Sequence, residues 1–261
     1  MFIRPRNCRY CDHGFFALGH VVEYARQLGL WEIIDITEDQ ANQGPIYDAI
    51  AQYDPASIYH FGHGNTCITT GDLEQAVWTC DECSNLAGRI VYLMSCLTAI
   101  GLGPAIMAAG GRAYAGFNVS WTWLSASGTD GDPYLDVYAR GFYESANEVW
   151  IGLLDGEEFR DAAWRSYQKY TEWIDYWYNH PDDPRSQDCI KYLAHDRDSL
   201  VVLDQCEGFT TSEECIAYGC HWYDNGCHSM PQTNGGVEGF NWVVAIPIVA
   251  LVGVALVVGT K

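Results

Sequence analysis

From residue 1 to about residue 204, short apolar runs alternate with longer stretches whose apolar residues recur every three or four positions. The runs Phe2–Arg4, Trp31–Ile36, Ser57–Phe61, Arg89–Ser95, Ala113–Phe117 and Leu200–Leu203 read as strands, because short apolar or aromatic segments bounded by turn residues suit strands buried on both faces. Helices are expected between them at Phe15–Leu28, Ile46–Tyr53, Asp72–Trp78 and Gly103–Ala109, then at Pro133–Glu144 and Glu157–Tyr178. In the last of these, Phe159, Ala163, Tyr167, Tyr170, Ile174 and Trp177 form a stripe at helical spacing, which reads as core packing. Strands alternating with amphipathic helices predict an α/β domain over residues 1–204, with a mostly parallel six-stranded sheet covered by helices on both faces.

Beyond residue 204 the pattern changes twice. Residues 205–230, QCEGFTTSEECIAYGCHWYDNGCHSM, hold four cysteines among polar and turn residues. Such a piece has too few apolar residues for a core and needs cross-links or a metal to hold a shape. Two disulfides are the first reading. A zinc site drawn from Cys206, Cys215, Cys220, His221, Cys227 and His228 is the second, although the spacing fits no common zinc-finger pattern. Residues 231–240 read as a linker. The apolar run Trp242–Val258 has no charge before Lys261, and a helix over 241–260 at about 1.5 Å per residue reaches roughly the 30 Å of a bilayer core. A C-terminal transmembrane anchor is therefore expected, with Trp242 at an interface. The start, MFIRPRNCRYC, is basic but lacks the apolar stretch of a signal peptide. A tail anchor without a signal peptide would leave the main domain in the cytoplasm, whereas the lone Lys261 and the cysteine-rich piece beside the membrane favour an extracytoplasmic placement, which is the expectation here.

Charge narrows the partners. With 34 acidic residues against 14 basic ones, the net charge of -20 repels phosphate backbones, so nucleic acid is not an expected partner. No cofactor is implied by any motif.

The candidate chemistry lies at the ends of two strands. In a parallel sheet, ligands and reactive groups collect beyond the carboxyl ends of the strands. The segment SIYHFGHGNT places His63 between two glycines after the third strand, and RIVYLMSC ends the fourth on Ser95 and Cys96. A thiol beside an imidazole can lose its proton and attack a carbonyl carbon, and the backbone amides of Gly64 and Cys96 are candidates for an oxyanion hole.

These two segments carry a resemblance. A strand ending in His-Gly, IYHFGHG, followed about thirty residues later by a strand ending in a small residue and Cys, IVYLMSC, resembles the caspase and gingipain group (clan CD) of cysteine peptidases. With LTAIGLGPAIMAAGGRAYAGFN following, the chain looks most like the gingipain-related, caspase-like domains of archaea and bacteria, over roughly residues 20–204. The resemblance implies a caspase-like fold, hydrolysis of a protein or peptide substrate, His63 as catalytic histidine, Cys96 as nucleophile, and Gly64 as an oxyanion-hole donor. His60 is the competing histidine, but it lies within the strand and no glycine follows it. The first strand is short, and no third catalytic carboxylate is evident.

Substrate pockets in the related enzymes are built after the fifth strand, where this chain has GFNVSWTWLSASGTDGDPY. Trp121 and Trp123 are candidates to line such a pocket, and Asp130 or Asp132 to bind a basic side chain. The competing reading makes the two tryptophans packing residues and Asp132, before Pro133, a helix cap. Two CxxC pairs remain, Cys8 with Cys11 and Cys80 with Cys83. They read as local disulfides or free thiols. A shared four-thiolate metal site is disfavoured, because Cys80 and Cys83 would follow a return helix at the opposite sheet edge. Two other functions stay open: a catalytically silent caspase-like module that binds a partner protein, and a redox or metal-binding membrane protein.

Overall fold

The computed structural model describes residues 1–8, 10–126, 131–204, 221–223 and 226–228. Met1–Asp204 form one compact unit. It opens with β1 (Phe2–Arg4), α1 (Cys11–Leu28), β2 (Asp35–Thr37), α2 (Gln43–Tyr53) and β3 (Ser57–Phe61). A small antiparallel ribbon follows, made of β4 (Gly64–Asn65), β5 (Ile68–Thr70) and β6 (Ala76–Thr79). The unit continues with β7 (Ile90–Met94), α3 (Leu102–Ala108), β8 (Ala113–Phe117), α4 (Arg140–Leu154), α5 (Phe159–Tyr178), α6 (Ser186–Arg197) and β9 (Leu200–Asp204). The six strands of the main sheet run in the order β2-β1-β3-β7-β8-β9. Every neighbouring pair is parallel except β8 and β9.

Alternation along each strand divides the interior into two cores. Phe2, Tyr59, Phe61, Tyr92, Met94 and Phe117 face α1, α4, α5 and α6, whose contributions include Val21, Phe142, Tyr170 and Leu193. Their neighbours Ile3, Ile58, Val91, Leu93 and Tyr114 face Ile46 and Ile50 of α2 and Ile106 of α3. Each of these large side chains contributes about 1.5–3 kcal/mol through burial. Burial on both faces explains why the strands are apolar throughout and do not alternate with polar residues. The stripe on α5 packs inward as expected, with Phe159, Tyr170, Ile174 and Trp177 in the first core.

Three local expectations need correction. Asp72–Trp78 is not a helix: Asp72–Glu74 form a short 3-10 turn, and Ala76–Thr79 are β6. Leu73 and Val77 have the four-residue spacing of a helix, but Leu73 and Glu74 adopt left-handed backbone angles, with φ of 51° and 58°. Pairing of Thr69 with Trp78 and of Ile68 with Thr79 supplies the backbone partners that a helix would have given. The segment Pro133–Glu144 is also divided, into a 3-10 turn at Pro133–Leu135 and the start of α4 at Arg140. Finally, α6 has no counterpart among the expected helices, since few of its residues are apolar; Cys189, Ile190 and Leu193 carry its buried side.

In the second unit, β10 (His221–Tyr223) and β11 (Gly226–His228) form an antiparallel hairpin with His221 opposite His228. The expected pairing or metal ligation of Cys206, Cys215 and Cys220, and the run Trp242–Val258, lie outside the described residues. No helix among the described residues is long and apolar enough to cross a membrane.

Candidate functional site

Because β1, β3, β7 and β8 are consecutive in the sheet and parallel, the loops leaving their carboxyl ends meet along one edge. Four chain segments converge there on a shallow cleft. Tyr10 and Cys11 come from the junction of the loop after β1 with α1, Gly62 and His63 from the loop after β3, Ser95 and Cys96 from just past the end of β7, and Trp121 and Trp123 from the loop after β8. Phe61 and Met94 form part of the floor. The cleft encloses about 310 Å³, including the mouth open to solvent. His63 and Cys96, expected to act together, line this one cleft from neighbouring strands.

The glycines beside His63 are required by close approach. At Gly62 a β-carbon would stand 2.2 Å from the Thr70 carbonyl oxygen, and at Gly64 it would stand 2.9 Å from both the Cys96 carbonyl oxygen and the Ser95 β-carbon. Gly62 lets the ribbon fold back over β3, and Gly64 lets the chain run against the turn that carries Cys96. The His63 carbonyl accepts from the Thr70 amide at 2.9 Å and from the hydroxyls of Thr69 and Thr70 at 3.2 and 3.4 Å, which fixes the backbone under the imidazole. Its side chain, 38% exposed, has Nε2 at 3.8 Å from Glu74 Oε1 on the ribbon's turn.

Cys96 is more enclosed. Burial pushes its thiol above the ordinary range, and the thiol donates to the Trp121 carbonyl at 3.7 Å. The carboxyl of Asp196 on α6 adds to the upward shift. Asp196 is itself fully buried and held well above the usual carboxylate range by desolvation, while it accepts from the Thr122 amide at 3.3 Å. It thereby fixes the peptide next to the thiol's partner. Immediately after Cys96 the chain turns sharply: Leu97 takes a left-handed φ of 61° and its amide donates to Val119 at 2.9 Å. A non-glycine residue in that region costs about 1–3 kcal/mol, and such strain collects where a reactive side chain must be presented.

His60 has a different environment. It is fully buried on β3, edge-on to Trp78 at 5.7 Å, with Nδ1 at 3.3 Å from the Thr69 hydroxyl. Desolvation lowers its pKa to about 3.

Trp121 and Trp123 stack on each other at 5.4 Å, and Tyr10 meets Trp123 edge-on at 6.2 Å, so an aromatic wall flanks the thiol. Tyr10 was not singled out by the sequence; its only signal is its position beside Cys11 after β1. Asp132 accepts from the Tyr134 amide at 2.9 Å and pairs with His20 at 2.8 Å, which makes it a cap for the Pro133–Leu135 turn. Asp130 lies outside the described residues.

The cysteines pair in one expected and one unexpected way. Cys8 and Cys11 form a disulfide across the loop after β1. Cys80, however, bonds to Cys67 and not to Cys83, which is a buried free thiol. The placement of Cys80 at the opposite edge is likewise corrected. The Cys67–Cys80 bridge ties β5 to β6 in the ribbon, and the Thr66 carbonyl beside it accepts from the Leu102 amide at the start of α3, at 2.7 Å. This bond also removes Cys80 from any thiolate set shared with Cys8 and Cys11. A different grouping exists: the sulfurs of Cys8 and Cys11 and a ring nitrogen of His63 all lie within 4.8 Å of one another.

Compared with known proteins, the chain matches no family model and no curated protein.

Proposed function

We propose that the chain is a cysteine endopeptidase with a caspase-like domain, held at a membrane by the apolar run Trp242–Val258. The observation that carries this reading is the convergence of His63 and Cys96 on one cleft from the adjacent parallel strands β3 and β7. In the proposed reaction, His63 takes the thiol proton as Cys96 sulfur bonds to the substrate carbonyl carbon, and the carbonyl π pair moves onto oxygen. The amides of Gly64 and Cys96 are the proposed donors to that oxyanion. The pair returns, the C–N bond breaks, and the His63 imidazolium protonates the leaving amine. Water, deprotonated by His63, then attacks the thioester carbon, and the C–S bond breaks to release the acid and the thiol.

Burial of the Cys96 thiol, which raises its pKa, favours a resting thiol over a preformed ion pair in this reading. Proton transfer then accompanies attack, with His63 as general base. The same observation favours a second reading, a silent module of the same fold that binds a partner protein through the aromatic wall. A preference for Arg or Lys before the cut bond rests on Asp130, because Asp132 is engaged by His20 and the Tyr134 amide. A thiol-reactive peptide probe followed by mass spectrometry decides between the readings. The peptidase gives a Cys96 adduct that His63→Ala abolishes, whereas the silent module gives none.

A further inference from the structure

The catalytic reading leaves the CxxC pair unused, although Cys11 lines the same cleft as His63 and Cys96. We propose that Cys8, Cys11 and His63 form a redox-gated site for a thiophilic divalent cation of the zinc class, and that the cation, when bound, withdraws His63 from catalysis.

Two observations carry this. The first is the proximity of the donors: a ring nitrogen of His63 lies within 4.8 Å of both sulfurs of the closed disulfide, so once that bond opens all three are within reach of one ion whose ligands sit about 2.0–2.3 Å from it. Three protein ligands leave a fourth position open to water or another ligand.

The second is that the loop carrying Cys8 is held in place before any metal arrives. The buried Asp72 carboxylate accepts from the backbone amides of Arg6 at 3.2 Å and Asn7 at 2.7 Å, and from the Asn7 side-chain amide at 3.2 Å. Asp72 belongs to the turn between β5 and β6, in the ribbon that begins directly after His63. One carboxylate therefore links the cysteine loop to the histidine loop, and the donors stay near each other when the disulfide opens.

The gate is the Cys8–Cys11 disulfide. While it is closed, neither sulfur is a thiolate and His63 serves only the cleft. A dithiol reductant transfers two electrons and two protons, becoming a cyclic disulfide itself and leaving two thiols. A divalent cation then displaces both thiol protons and takes the His63 nitrogen lone pair. The gating rests on the peptidase reading above; the cation site does not.

The test uses the full chain, reduced with a dithiol, freed of it under anaerobic conditions, and titrated with zinc chloride against a chromophoric chelator. Reduced wild type is expected to bind one zinc equivalent more than the reduced Cys8→Ser/Cys11→Ser variant, and one more than His63→Ala. Cys96→Ala should keep that equivalent. Because the cysteines at 206, 215, 220 and 227 are present in every variant, they cancel in the difference. Equal zinc content in wild type and the double variant overturns the site, and loss of the equivalent in Cys96→Ala overturns the ligand set. For the gate, the zinc concentration that halves peptide turnover should rise at least tenfold in the double variant relative to wild type; an unchanged midpoint overturns it. If wild type hydrolyses no peptide, the peptidase reading fails while the zinc count still decides the site.

Discussion

His60 and His63 stand three residues apart on either side of the end of β3, and the chain treats them in opposite ways. His60 points into the core that also holds Val77 and Trp78; its Nε2 has no hydrogen-bond partner among the described residues, and desolvation holds the ring neutral. His63 lies one step past Gly62, where the strand has ended and the ring lines the cleft that Cys96 also lines. Identical side chains thus become a packing residue and a candidate base, and the decisive variable is whether the ring is sealed in a core or faces the cleft. Which histidine meets the cleft is specified by where the strand stops.

The largest effects should separate the two rings outright. Cys96→Ala and His63→Ala should each lower peptide turnover by roughly a thousandfold or more, and the double variant should be little worse than either, because nucleophile and base act as a unit. His60→Gln should keep turnover within about tenfold, since Gln can still meet the Thr69 hydroxyl. The comparison breaks if His60→Gln is inactive while His63→Ala turns over.

A second series sharpens the role of the glycine after His63. Gly64→Val places its side chain against the Cys96 carbonyl and Ser95. If the Gly64 amide is an oxyanion donor, turning it aside should reduce kcat by about a hundredfold to a thousandfold. A matching rise in KM with unchanged kcat would instead assign Gly64 to substrate binding.

The ribbon that fixes His63 should itself be measurable. Removing the Cys67–Cys80 bridge, which closes a sequence separation of 13 residues, should cost about 3 kcal/mol in urea denaturation of the Cys67→Ser/Cys80→Ser variant. Unaltered stability would mean that strand pairing alone holds the ribbon.

The smallest effect concerns acid. A free histidine titrates near 6.5 and folded His60 near 3, so between these values the unfolded chain binds the proton that the folded chain refuses. Stability from this residue therefore falls as pH drops from about 6.5 towards 3, by at most about 1.4 kcal/mol per pH unit. Wild type should lose more stability than His60→Gln between pH 7 and 4.5, and equal losses would show that His60 is not kept neutral by the fold.

Much of the frame was legible from residue pattern. Ser57–Phe61 and Ala113–Phe117 were bounded correctly because continuous apolar runs between turn residues have few alternatives to a buried strand. His63 and Cys96 were legible for the same reason, as each marks a strand's end. The ribbon was not, because Leu73 and Val77 mimic a helix while the pairing that makes β6 a strand lies some ten residues away in β5. Helix α6 was hidden by its polar majority, and its buried Asp196 acquires meaning only beside Thr122.

What the sequence by itself determined is therefore what neighbours along the chain can decide: the alternation of strands and helices, the two-sided burial of the sheet, and the placement of His63 and Cys96 just past two strand ends. The tertiary structure alone decided which sulfurs meet. Cys8, Cys11 and His63 are brought together because β1 and β3 are neighbours in the sheet. Cys80 bonds to Cys67, and not to the nearer Cys83, because the ribbon folds β6 back onto β5. Side-chain periodicity is set over one or two turns of chain, but disulfide and ligand partners are set by strand order, which only the packed sheet defines.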